Sequence, residues 1–163
     1  MTDSVPKAIV IGCGSHFTAD DAAGLQVLET LKAGSPVEGC EYRSYDGGWS
    51  PGFIAEIPVD TVILFIAAAQ RGAAPGTICC VKLPSKSVHC DHLQSKGPEP
   101  ITLEDELQLA RKANGAAPRV FLVGIDSAQH RGAGTGLSER VQAAVDEIVR
   151  NFPRYLKLAY DLA

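Results

Sequence analysis

The sequence predicts an α/β fold: a single three-layer domain in which a twisted, mostly parallel five-stranded sheet lies between helices on both faces. Short apolar runs alternate along the chain with segments whose apolar residues recur at helical spacing. Most of the runs are apolar throughout, as strands covered on both faces must be. The 163 residues, 45% of them apolar, suffice to bury a core on each side of a sheet.

The elements follow in order. Residues 7–12 (KAIVIG) form the first strand, and residues 20–32 a helix with Val27, Leu28 and Leu31 on one face. Residues 40–46 (CEYRSYD) alternate as a second strand, and residues 61–69 (TVILFIAAA) form a third. Residues 77–83 (TICCVKL) make a fourth after the turn-forming APG, and there the adjoining Cys79 and Cys80 point to opposite faces in buried, structural roles. Residues 102–113 form a helix with Leu103, Leu107 and Ala110 on one face, opened by a capping box of Thr102 and Asp105. Residues 119–125 (RVFLVGI) repeat the buried-strand pattern, and Val141, Val145, Ile148, Val149 and Phe152 stripe one closing helix. The order is βαβ(α)ββαβα. Residues 84–100 stay irregular, and connections of that length are usually functional or mobile.

Charge and composition exclude several classes. The net charge of −4 is spread without blocks, which offers no basic face for nucleic acid and no polybasic patch for a membrane. The start, MTDSVPKAIVIG, is too weakly basic and too soon interrupted for a signal peptide, and nothing approaches a membrane span, so a cytoplasmic location is expected. The five cysteines then read as reduced thiols.

In this fold class ligands sit at the carboxyl ends of strands, where residues 12–24 read GCGSHFTADDAAG. A dinucleotide fingerprint requires glycine where Phe17 stands, and Asp20 and Asp21 would repel a phosphate at the helix start, so nucleotide binding is excluded. Thr18 and Asp21 fit a capping box, and two adjacent acids also fit a cation. Both readings stand.

The motif residues Gly12, Gly14, Asp20, Asp21 and Gly24 resemble the opening pattern of the hydrogenase maturation endopeptidases, with Ser15 in place of an Asn. The resemblance continues in order through DGG (residues 46–48), APGT (74–77), FLVGI (121–125) and GLSERV (136–141), over about residues 7–149. It implies a twisted sheet between helices and an enzyme that trims a C-terminal peptide from the large-subunit precursor of nickel-iron hydrogenases. Nickel already seated in that precursor serves as the recognition element.

In that family three side chains meet the metal: the second acid of the opening motif, an Asp ending the third strand, and a His before the helix preceding the last strand. The first is Asp21; ungapped counting puts the second on Ile66 and the third on Glu99. The resemblance thus implies a metal-recognition site of Asp21 and Glu99, weaker for nickel than one with an imidazole, and at most weak divalent-metal binding. Within the long loop, HCDH (residues 89–92) offers His89 and His92 as replacements if the loop is laid differently, and His16 lies in the opening loop. No nucleophile pattern accompanies them, and Asp46 is expected to orient its Gly-Gly turn. Two readings follow: an endopeptidase with an altered metal site, or a non-catalytic relative acting as a binding or chaperone partner of a hydrogenase subunit or another protein. A third, a small-molecule binding domain, would show a deep apolar pocket at the strand ends.

Overall fold

The computed structural model describes residues 7–16, 19–34, 36–127 and 136–162. The chain runs through β1 (Ala8–Gly14), a 3-10 turn (Ala19–Ala22), α1 (Ala23–Ala33), β2 (Cys40–Asp46), a second 3-10 turn (Ile54–Glu56), β3 (Val62–Ala69), β4 (Ile78–Leu83), α2 (Leu103–Asn114), β5 (Val120–Asp126), α3 (Glu139–Arg150) and α4 (Phe152–Leu162). The five strands form one sheet in the order β2-β1-β3-β5-β4. β1 lies parallel to β2 and β3, and β3 parallel to β5, while β4 runs antiparallel to β5. Residues 70–77, between β3 and β4, are too few for the helical crossover that a parallel return needs. They instead cross the end of β5, where Gly76 N donates to Asp126 O over 2.7 Å and Asp126 N to Thr77 O over 2.9 Å.

Every residue of β1, β3 and β5 is buried, and their alternation feeds two cores. Ala8, Val10, Leu64, Ile66, Val123 and Ile125 join the layer of α1, α3 and α4. Ile9, Ile11, Cys13, Phe65, Ala67 and Leu122 join the layer of α2, which includes Trp49 and Phe53. Each fully buried large side chain contributes about 1.5–3 kcal/mol.

The motif glycines act through this packing. A Cβ on Gly24 would lie 2.1 Å from the Ile66 carbonyl oxygen, and one on Gly12 would lie 2.4 Å from the Gly24 carbonyl oxygen. They let α1 sit directly on β1 and β3, which explains the glycines without any phosphate.

The helix ends follow their sequence. Thr102 Oγ1 accepts from Asp105 N at 3.2 Å to cap α2, and Gly115 ends it in the left-handed region at φ 80°. The expected single closing helix is two helices broken at Asn151. Pro153 sits in the first turn of α4, where its missing N–H costs nothing, but it could not continue α3. No helix among the described residues is long and apolar enough to cross a membrane.

Candidate functional site

The carboxyl ends of β1 and β3 and the connection at 84–100 meet at one edge of the sheet. Gly14 turns the chain tightly there: Ser15 N donates to Asp21 O over 3.2 Å, and a Cβ on Gly14 would stand 2.1 Å from the same oxygen. The following 3-10 turn gives its two acids different tasks. Asp20 is 2% exposed and accepts from Ser138 N at 2.8 Å and Ser138 Oγ at 3.0 Å, tying the opening loop to the start of α3. Asp21 faces the long connection, where its Oδ1 lies 3.4 Å from His92 Nε2. The residue at the cap position of α1 is Ala22, which makes no side-chain cap bond. Thr18, the other half of the expected box, lies outside the described residues.

His92 is held there by a connection fastened along its length. Gln70 and His89 exchange both backbone hydrogen bonds, at 2.9 and 3.2 Å, and Cys90 Sγ donates to Ala68 O at 3.1 Å. Further on, Trp49 N donates to Gln94 O and Lys96 N to Trp49 O at 2.7 Å. Gly48, at φ 115°, makes room for this, because a Cβ there would lie 2.7 Å from the Gln94 carbonyl oxygen. Trp49 is anchored in turn: its Nε1 donates to Glu106 Oε1 at 3.3 Å, and Gly52 N donates to both Glu106 oxygens at 2.9 and 3.0 Å. Glu106 is fully buried, so these bonds replace its lost hydration.

Of the other expected positions, Glu99 is exposed further along the same connection, and the side chain set against Asp21 is the imidazole of His92. His89 pairs with Asp91 in an exposed contact. His16 Nε2 lies 3.2 Å from Glu29 Oε1 and 3.9 Å from Asp46 Oδ2. Ile66 is 0% exposed and belongs to the α1 layer, whereas the next residue, Ala67, belongs to the layer of Cys13 against which Cys90 packs. Ile66 thus packs in the helix layer, while Ala67 lies in the layer against which the connection carrying His92 packs.

Several residues escaped the sequence reading. Glu106 stands within the apolar stripe of α2, next to Leu107, and an acid in such a stripe was the available signal. Asp126, ending β5 at 2% exposed, accepts from Arg71 N at 2.9 Å, and its Oδ2 lies 3.5 Å from Arg71 Nε. Only tertiary folding brings those two together.

Burial raises all five thiols, Cys80 to about 11 and Cys90 to about 12. For Cys90 the charges of Asp91 and Asp21 add to burial. No thiolate nucleophile is available near neutrality. Among the described residues no group of three His, Cys, Asp or Glu side chains could hold a metal ion. Among those residues Asp21 and His92 bring one carboxylate and one imidazole together, fewer donors than the about four to six that a bound ion takes.

With this geometry in place, solved structures supply the comparison. The E. coli hydrogenase maturating endopeptidase HybD superimposes with a TM-score of 0.70 at 20% identity, over 94% of this chain and 93% of that one. The hydrogenase 2 maturation peptidase of Thaumarchaeota archaeon SCGC_AB-539-E09 gives 0.66 at 20% identity, over 93% and 99%. The [NiFe] hydrogenase maturation protease HycI of Thermococcus kodakarensis KOD1 gives 0.65 at 19% identity, over 96% and 95%. This chain has the hydrogenase maturation endopeptidase fold. No protein-family model matches the sequence and no curated protein matches it, so the likeness is one of structure. It extends over nearly the whole of each chain.

Proposed function

We propose that this protein acts on, or binds, the nickel-loaded large-subunit precursor of a nickel-iron hydrogenase in the cytoplasm, using Asp21 and His92 to contact the metal seated in that substrate. The observation that carries the reading is the 3.4 Å approach of His92 Nε2 to Asp21 Oδ1 at the strand ends of an endopeptidase fold. A carboxylate and an imidazole are competent donors to nickel, and their low exposure, 13% and 19%, limits competition from water. The substrate's own ligands complete the coordination. The remaining chemistry is hydrolysis: water adds to the carbonyl carbon of the scissile peptide, the C–N bond breaks, and a carboxylate and an amine separate.

Ala67 and Ile66 supply no third donor, so turnover is slow and the endopeptidase grades toward a binding partner. Glu99 remains the alternative second contact, reached if the metal lies further along the connection. The test is a precursor purified with nickel and incubated with the protein, with the C-terminal peptide followed by mass spectrometry and complex formation by size-exclusion chromatography. Asp21→Asn or His92→Ala is expected to lower nickel-dependent binding at least about tenfold, and Glu99→Gln to leave it unchanged. Binding indifferent to nickel and to both substitutions overturns the reading. Loss with Glu99→Gln alone moves the site to Glu99.

A further inference from the structure

A cavity of about 310 Å³, lined by Cys90 but by neither Asp21 nor His92, opens between the 84–93 segment and the first turn of α2. Leu83 and Leu122, both core residues, form its floor, and Val88, Cys90 and Leu93 form one wall. Resting on the reading above, we infer that this cavity is a subsite for one bulky apolar side chain of the precursor peptide, a few residues along from the group held at Asp21 and His92.

Three features support this occupant. The wall is preformed, because the Gln70–His89 backbone pair and the Cys90 Sγ bond to Ala68 O fix it independently of any ligand. It is also continuous with the site: Cys90 lines the cavity and His92 follows it by two positions, a chain distance of at most ~7 Å. An extended peptide covers that distance in about two residues, so a chain held at His92 can lower a neighbouring side chain into the cavity. Finally, the rim selects against an anion, because His89, which also lines the cavity, already faces Asp91. Glu104 lies on the rim, and Glu104, Asp105 and Glu106 all occupy the first turn of α2, which offsets the attraction of that helix end for negative charge. A free C-terminal carboxylate is therefore disfavoured and an internal residue favoured. The volume holds a leucine, methionine or phenylalanine side chain together with its backbone.

The experiment titrates methyl-labelled protein with N-acetyl-leucinamide, N-acetyl-methioninamide, N-acetyl-alaninamide and N-acetyl-aspartic acid amide, following the methyl resonances of Val88, Leu93, Leu103 and Leu122. The leucine and methionine amides are expected to shift these resonances saturably, at least about tenfold more tightly than the alanine amide, with no saturable response to the aspartic acid amide. Val88→Trp, which fills the cavity from its wall, is expected to abolish the response and weaken binding of the nickel-loaded precursor about tenfold. Absence of saturable shifts with the wild-type protein overturns the subsite, as does precursor binding unchanged by Val88→Trp in a folded variant. Either result leaves the Asp21–His92 reading intact, since that reading fails only through indifference to nickel and to Asp21→Asn and His92→Ala.

Discussion

Ile66 and Ala67 adjoin in β3 and are both fully buried, yet their side chains enter opposite layers, Ile66 with Ala23 and Val27 under α1 and Ala67 with Cys13 and Phe65. A carboxylate at either position therefore meets different surroundings. Ile66→Asp replaces a packed side chain by a charge inside the helix layer and is expected to cost more than about 3 kcal/mol, with no recovery in nickel. Ala67→Asp places the carboxylate in the other layer, equally buried but packed by the connection that carries Cys90 and His92, and is likewise expected to destabilise the metal-free protein. Thermal melts with and without nickel check this: both variants are expected to melt below the wild type without metal, and only Ala67→Asp to recover part of its loss at saturating nickel.

The acids of the opening loop are expected to separate by stability. Asp20 holds Ser138 through its backbone N–H and hydroxyl, so Asp20→Ala should cost about 2–3 kcal/mol. Asp21→Asn keeps the shape and an acceptor oxygen, and should cost less than about 1 kcal/mol. Urea denaturation of both variants measures the difference, and equal losses would make Asp21 a structural residue.

Glu106 gives a third expectation. Its removal strands the buried indole N–H of Trp49 and leaves the half-buried amide of Gly52 without its acceptor, so Glu106→Ala is expected to cost about 3 kcal/mol. Glu106→Gln retains one acceptor oxygen and should lose about half as much. Denaturant unfolding checks the order.

The thiols make stability depend on pH in one direction. Unfolded cysteines ionise near ~8.5, whereas burial holds the folded Cys80 protonated to about 11 and keeps Cys13 protonated well above its ordinary value. Between those values the unfolded chain has released protons that the folded chain retains, so raising pH favours unfolding. Stability is expected to be level below about pH 8 and to fall from about pH 9 upward. Urea midpoints across that range test it. In parallel, iodoacetamide at about pH 8 should label Cys13 far more slowly in the native protein than in denaturant.

Most of the architecture was legible in the sequence. The buried runs in β1, β3 and β5 have one physical reading, and β2 begins and ends as expected because its alternation stops at Asp46. The break between α3 and α4 was hidden because the apolar stripe runs on across Asn151 into Phe152, and only Pro153 marks the boundary. The site was half legible. Asp21 stands within a glycine motif whose geometry is local, whereas His92 reaches it through hydrogen bonds to Gln70, Ala68 and Trp49 that no spacing encodes. Counting along a connection with no regular structure cannot tell which of its residues will face inward.

The anchoring of Trp49 has a further consequence. It is the chain's single tryptophan, fully buried, with ring centroids 5.0 Å from Phe53 and 5.5 Å from Phe65, and its backbone grips the connection that carries His92. Intrinsic fluorescence excited in the indole band therefore comes from one emitter at the hinge of the candidate site. Detachment of the connection would red-shift and dim that emission while the far-ultraviolet circular dichroism of the sheet stayed constant. The molecule thus carries a built-in optical gauge of whether His92 is in place.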